Sequence, residues 1–338
     1  MRKLFLKIGI FDGSYLLHRC LHTPSLFELR NSKGIGTGGI FGVLRAINRE
    51  LKKCGNYFPI VCFDDGLSPR RVSADIEYKK SEEKADLNNR ILTPEESKID
   101  FITQYRTQRN ILVEILKYFG IPCLKFIPWE GDDLISLIVK LSNECVIITD
   151  DRDMLQLLSE SCKVRRPMAD ELWTLEDFLK SMDITDIYDF VIIKAILGDN
   201  SDNIKSSCRG VGDKTVNGML PLLKLFYVDG IWNFNKYPKE EKRMKLLCDS
   251  IDTKYRKAFL NFSPERFIIN MELVDLEKVV FTDEVYNSVI STITNSKAYV
   301  DYFKAVSSMS ELEIREFSVD ELLESVNNRY SNLLLEGV

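Results

Sequence analysis

The stretch "KAILGDNSDNI", Lys194 to Ile204, ends an apolar helical run at Gly198 and delivers two carboxylates, Asp199 and Asp202, three residues apart among Asn and Ser. Other carboxylates also stand where apolar runs stop. "LFLKIGIFDG" ends at Asp12, "GNYFPIVCFDD" at Asp64 and "CVIITDDRD" at Asp151 and Asp153, while "WEGDDLISLIVKL" opens a helical pattern with Glu130, Asp132 and Asp133. A single Asp in such a place caps a helix or closes a strand. Gathered at one edge, these nine carboxylates would repel one another until protonated unless cations intervened, so the set reads as a divalent-metal site. The donors are all oxygen, with no His or Cys among them, which favours Mg²⁺ or Mn²⁺ and disfavours zinc. Two such ions about 3.5 to 4 Å apart stabilise the attacking and leaving oxygens of an in-line phosphoryl displacement.

The elements that must position these residues follow from the hydrophobic pattern. The three long strand patterns, with a shorter one in "GIPCLKFI", alternate with helical patterns in "GIFGVLRAINRELKKC", "DFITQYRTQRNILVEILKYF" and "EGDDLISLIVKLS". That alternation predicts an α/β fold with a mostly parallel central sheet flanked by helices, whose ligands bind at the carboxyl ends of the strands. Residues 66–100 are rich in both charge signs without a clean apolar period, and read as a mobile excursion from the sheet. After residue 200 the pattern is helical.

A chain of 338 residues with 45% hydrophobic content can bury a core for one large or two moderate domains. No apolar run is long enough for a membrane span, and Asp12 interrupts any signal-peptide core, so a soluble, cytoplasmic protein is expected. The eight cysteines lack any C-x-x-C pair and read as reduced core thiols. The net charge of -5 hides an uneven distribution. Residues 203–257 carry twelve Lys/Arg against six Asp/Glu, whereas residues 310–338 carry two against seven, so a basic face suited to nucleic acid survives the overall sign.

In their order, "FDGSYLLHR", "CFDDGLSPRR", "EYKK", "WEGDDLISLIVKL", "IITDDRDMLQLL", "ILGDNSDNI" and "GVGDKT" resemble the 5′-nuclease (flap endonuclease) superfamily. Length and "NMELVDLEKV" bring the chain nearest to the RNase H of T-even bacteriophages. The resemblance covers roughly residues 5–305 and implies a PIN-like nuclease fold with a helical arch. It implies an α/β nuclease domain over 1–195 with the arch at about 66–105, a helical DNA-binding region with a helix-three-turn-helix over 196–310, and an acidic tail over 311–338. It further implies that Asp12, Asp64, Glu130, Asp132 and Asp151 surround one Mg²⁺, with Mn²⁺ as a substitute. Asp153, Asp199 and Asp202 would lie nearer a second, and Asp133 would support the cluster directly or through water.

The cationic residues fit the same resemblance. Arg71, Tyr78 and Lys79 in "SPRRVSADIEYKK" occupy positions that grip the scissile phosphate and stack on the terminal nucleotide. Arg19 resembles a phosphate contact, and His22, four residues after His18, is expected to pack or to meet phosphate. Thr37 and Gly38 lie in "GIGTGGIFGVL", which resembles a helix start whose N–H groups face the 5′ strand. Gly210, Gly212, Lys214 and Thr215 match the family's duplex-binding turn, which contacts phosphates without reading bases. An extra residue before Gly210, with Ser206, Ser207 and Cys208 in place of Gly/Pro character, argues against a monovalent-cation site there.

The activity implied is that of a Mg²⁺-dependent 5′-3′ exonuclease and flap endonuclease with RNase H activity, removing primers in replication. Its partners would be DNA with a 5′ flap or nick and RNA–DNA hybrid, with a single-strand-binding protein or a sliding clamp as protein partners. It would work as a monomer, without a membrane, in the cytoplasm of the host if phage-encoded. Two alternatives are a non-catalytic DNA-binding protein on a nuclease fold and an aspartyl-phosphate phosphohydrolase. The latter needs a second Asp two residues after Asp12, where Ser14 stands. The tail, with apolar residues at helical spacing, is expected to form an amphipathic helix that docks on its own core, the favoured reading, or on a replication partner, and deletion of residues 316–338 is expected to leave basal cleavage of a short flap largely intact.

Overall fold

The computed structural model describes residues 4–79, 96–228, 230–234, 255, 258 and 261–330. The chain forms two compact units: Met1–Ser68, Leu87–Leu175 and Val279–Val338 make the first, and Pro69–Asp86 with Glu176–Lys278 make the second. This division is not the linear one expected from sequence. The C-terminal residues return to the first unit, and Pro69–Asp86 belong to the second.

The first unit is built on six strands: β1 (Leu4–Asp12), β2 (Phe58–Cys62), β3 (Cys123–Leu124), β4 (Ser142–Ile148), β5 (Cys162–Arg166) and β6 (Glu171–Trp173). Their order is β3-β2-β1-β4-β5-β6, and all pairs are parallel except β5 with β6. The sheet is therefore mostly parallel and flanked by helices, as the alternation predicts. Ile8, Ile10, Ile60, Val61, Ile147 and Ile148 are buried, which is why these strands read as continuous apolar runs. β5 and β6 escape sequence reading because charges interrupt them: Arg165 in β5 is buried, and its Nε donates to Glu50 Oε2 at 3.1 Å.

β1 and β2 end at a tight junction with the first helix, Gly13–Leu21. Asp12 caps that helix, its Oδ1 accepting from the Tyr15 N–H at 2.9 Å. A Cβ at Gly13 would lie 2.6 Å from Val61 Cγ1, so only glycine lets the helix start this close to β2. The helix Val319–Tyr330 from the acidic tail also packs in this unit, with Leu322, Val326 and Tyr330 buried. Tyr330 Oη donates to the Gly120 carbonyl at 2.6 Å, and Arg329 Nη2 donates to Leu51 O at 2.5 Å and Gly55 O at 2.7 Å. The tail helix is thus part of the first unit's core, which removes the reason to expect its deletion to be harmless; residues 331–338 lie outside the described residues.

The second unit contains the helices Ile187–Leu197, Asp213–Lys224 and Pro264–Val274. Gly198, at φ 73°, ends the first of these, as its place after the apolar run implies. Asn270 Nδ2 donates to the Ala195 carbonyl at 2.7 Å and the Lys205 carbonyl at 2.8 Å, fixing the polar turn that follows. The stem of the expected arch is anchored here and is not a loose excursion. Arg266 Nη1 meets Asp75 Oδ2 at 2.5 Å, and Arg70 Nη2 donates to the Asp275 carbonyl at 3.1 Å. The part of the arch at 80–95 lies outside the described residues, as does most of the basic stretch beyond residue 234.

Candidate metal centre

Asp12, Asp132 and Asp151 come together, each offering a carboxylate oxygen within 4.8 Å of the other two. β1 delivers Asp12, the chain leaving β4 delivers Asp151, and Asp132 stands in the first turn of the helix Gly131–Leu141. β1 and β4 are neighbours at the point where the strand order reverses, and such a reversal opens a crevice at the carboxyl edge of a parallel sheet. The carboxylates meet at this edge.

A threonine ties two of them. Thr149 Oγ1 donates to Asp12 Oδ2 at 3.0 Å and accepts the Asp151 N–H at 3.0 Å, while Asp151 Oδ1 accepts the Asp153 N–H at 2.8 Å. Sequence reading passes over Thr149; its one signal is its place directly before the acidic run. Asp12 is 5% exposed. Burial pushes its carboxyl well above the usual carboxylate range, and the negative charges of Asp132, then Asp64 and Asp151, push it further. A divalent cation would offset both the burial and the repulsion. The donor set fits such an ion.

The other expected ligands of this unit hold the frame. Asp64 Oδ1 accepts the Gly131 N–H at 2.6 Å, its N–H donates to Ser14 Oγ at 2.9 Å and its carbonyl accepts from Arg109 Nη1 at 2.9 Å. It thereby docks the helix that carries Asp132. Glu130 occupies the N-cap position of that helix and is buried, Asp133 is fully buried one residue beyond Asp132, and Asp153 is half-buried. Among the described residues the close group contains Asp12, Asp132 and Asp151 and none of these four.

Asp199 and Asp202 belong to the second unit. Asp199 Oδ1 accepts from the Ser201 N–H at 2.8 Å, and Asp199 and Ile204 exchange backbone hydrogen bonds that close the turn. The Asp202 carbonyl accepts the Lys79 N–H at 2.8 Å, and Asp202 Oδ2 lies 3.8 Å from Lys79 Nζ. Lys79 sits at φ 53°, a left-handed conformation unusual for lysine. Two neighbours depart from expectation. Tyr78 is 2% exposed, with its Oη donating to Asp202 Oδ2 at 3.4 Å, so its ring has no open face for a base. Arg71 is buried, its Nε donating to the Leu273 carbonyl at 3.0 Å, and serves as a strut to the helix Pro264–Val274 where a phosphate grip was expected.

The expected DNA contacts divide similarly. Thr37 and Gly38 are buried, and a Cβ at Gly38 would lie 1.8 Å from the Leu26 carbonyl oxygen. The next N–H groups, of Gly39 and Ile40, donate to Gln108 Oε1 at 2.8 and 3.2 Å, so packing takes up the helix start that sequence assigned to phosphate. His22 is exposed beside His18, ring centroids 4.3 Å apart, and both pack on Phe101. Gly210, Gly212 and Lys214 are exposed before and at the start of the helix Asp213–Lys224, with Thr215 half-buried; Gly210 has φ 77°.

A family model described as 5′-3′ exonuclease, N-terminal resolvase-like domain, matches residues 7–183. The chain belongs to the 5′-3′ exonuclease family. Among curated relatives of this 5′ nuclease, a 5′-3′ exonuclease of Aquifex aeolicus (strain VF5) is 32% identical over 243 residues, covering 70% of this chain and 76% of that one. A DNA polymerase I of Caldicellulosiruptor bescii is 30% identical over 64% of this chain, which spans 24% of the polymerase. The crystal structure of T5 D15 protein co-crystallised with metal ions shares the fold of this 5′ nuclease, with a TM-score of 0.61 at 21% identity over 97% of this chain and all of that one. Among the described residues no helix is long and apolar enough to cross a membrane.

Proposed function

We propose that this 5′-3′ nuclease hydrolyses phosphodiester bonds near the 5′ end of flapped, nicked or RNA-primed DNA with two Mg²⁺ ions, and removes primers in replication. The observation that carries the reading is the meeting of Asp12, Asp132 and Asp151 at the strand-order reversal. The relative in Aquifex is named a 5′-3′ exonuclease, and a related T5 structure is named a flap endonuclease complexed with DNA and metal ions. The nearness to T-even RNase H, and with it hydrolysis of RNA–DNA hybrid, belongs to this proposal.

In the proposed reaction Asp12, Asp132 and Asp151 would hold the first ion, and Asp153 would stand nearer the second. Bound there, the ions supply charge stabilisation to the in-line displacement and lower the pKa of attacking water. Thr149 fixes the carboxylate of Asp12 and the loop of Asp151, so these two donors are positioned before an ion binds. Lys79 places its ammonium against charge that grows on the phosphoryl oxygens, and its contact with Asp202 sets where that ammonium points. Lys214 and the exposed turn around Gly210 and Gly212 hold duplex phosphates away from the reacting bond.

The test is product length. A 5′-labelled flap, a nicked duplex and a nicked RNA–DNA hybrid are incubated with Mg²⁺, with Mn²⁺ and with EDTA. Short 5′ products that need a divalent ion are expected from all three. Tight binding without cleavage under every metal would replace this reading with the non-catalytic one, and cleavage in EDTA would remove the metal from it.

A further inference from the structure

We infer that Asp150 is a positioning residue that presents Arg19 and Arg166 to a DNA phosphate beside the metal centre; the identity of the strand rests on the nuclease reading above. Leaving β4, the chain runs Thr149, Asp150, Asp151. Asp151 joins the metal cluster, and Asp150 carries its carboxylate to a separate set of partners. Tyr15 Oη donates to its Oδ2 at 2.9 Å, and the Met168 N–H lies 3.2 Å from both carboxylate oxygens. Arg19 Nη1 stands 3.9 Å from Oδ2 and Arg166 Nε 3.8 Å from Oδ1.

These contacts make the carboxylate a hub at the sheet's carboxyl edge. Arg166 is the last residue of β5, Arg19 lies on the helix that Asp12 caps, and the Tyr15 that donates to Asp150 through its hydroxyl also donates to Asp12 through its backbone N–H. The side chain of Asp150 is 9% exposed, whereas those of Arg19 and Arg166 are 33% and 28% exposed. The carboxylate is therefore enclosed and the two guanidiniums open to solvent.

At 3.8 and 3.9 Å the ion pairs are at their outer limit, so each guanidinium is steered while N–H groups of its fork stay available. Glu171 Oε2, 3.5 Å from Arg166 Nη1, faces the other side of that fork. The two guanidiniums face two carboxylates, Asp150 between them and Glu171 at the outer side of Arg166, next to the metal-site cluster of negative charge. A planar fork of donors suits the paired oxygens of a phosphate diester. The chemistry recognised is the nucleic-acid backbone; base edges play no part.

A double-mutant cycle read by DNA affinity tests this. Binding of a 5′-flap DNA is measured by fluorescence anisotropy in EDTA for the parent, Arg166→Ala, Asp150→Asn and the double variant. The Asn variant keeps an oxygen acceptor for Tyr15 and Met168, and its melting temperature verifies folding. If Asp150 positions the arginine, Arg166→Ala weakens binding about tenfold in the parent, with the salt slope reduced by about one contact, and less than twofold in the Asp150→Asn background. Equal losses in the two backgrounds, or no loss in the parent, would overturn the inference. Affinity in EDTA does not depend on turnover, so a protein that cleaves nothing still decides this proposal, and one that cleaves with additive losses overturns this proposal alone.

Discussion

At the scale of residues, the decisive feature is a carboxylate that the fold places where it is least comfortable. Asp12 is enclosed and faces three other acids, which hold its carboxyl above the ordinary range. Because the folded value is raised, ionisation of Asp12 opposes folding: the penalty is absent below the unfolded pKa of about 4 and grows as pH rises toward the folded value. Asp12→Asn should therefore raise the melting temperature of metal-free protein, by more at pH 8 than at pH 5, while abolishing cleavage. Differential scanning fluorimetry in EDTA checks the first part, and a fall in melting temperature would contradict it. Thr149 offers a gentler probe. Thr149→Val keeps volume and removes the hydroxyl between Asp12 and Asp151, and is expected to lower cleavage about 10- to 100-fold and to raise the Mn²⁺ concentration needed for half-maximal rate. Lys79→Ala should lower single-turnover cleavage by about a hundredfold with little change in affinity. Tyr78→Ala should instead destabilise, by about 3 kcal/mol or more, since that ring is buried. A Tyr78→Ala protein of unchanged stability would contradict the packing role of that ring.

At the scale of elements, acids at strand ends were legible because apolar runs stop on them, and β1, β2 and β4 follow from the same runs. β5 and β6 were not, because "CKVRR" and "ELW" carry charge that only a partner such as Glu50 makes tolerable inside. Which acids touch was also beyond sequence: Glu130, Asp132 and Asp133 are neighbours on the chain, yet helix geometry turns Asp132 to the cluster and buries Asp133. Thr37, Gly38, Arg71 and Tyr78 fit a family pattern and take up packing roles, because a motif fixes residue types and not which side chain the core absorbs. The tail helix gives the clearest element-scale expectation. Removing residues 319–338 exposes the surface that Leu322, Val326 and Tyr330 cover, each worth about 1.5–3 kcal/mol of burial, and leaves the Gly120 carbonyl without its donor. The truncated protein should melt at least several degrees lower in a thermal scan. Gly120→Ala should move the same way, because Gly120 has φ 72° and a Cβ there would lie 2.2 Å from Tyr330 Oη. An unchanged melting temperature in both would show that the helix adds nothing to the first unit.

At the scale of the whole molecule, the chain divides the work between two units: the first carries the close carboxylate group, and the second carries Asp199, Asp202, Lys79 and the exposed turn at Gly210 to Lys214. Net charge is a poor guide to such a molecule, since the acidic C-terminal residues set the overall sign while Lys and Arg dominate residues 203–257. The central claim is that carboxylates at the strand-order reversal hold the metal that drives 5′ cleavage. It is tested most directly by single-turnover cleavage of a 5′-flap substrate in Mg²⁺ by the parent and by Asp151→Asn, both at enzyme concentrations that saturate the DNA. Loss of cleavage by about a thousandfold or more, with DNA affinity equal or higher, is the expected result; cleavage by Asp151→Asn within about tenfold of the parent would contradict the account.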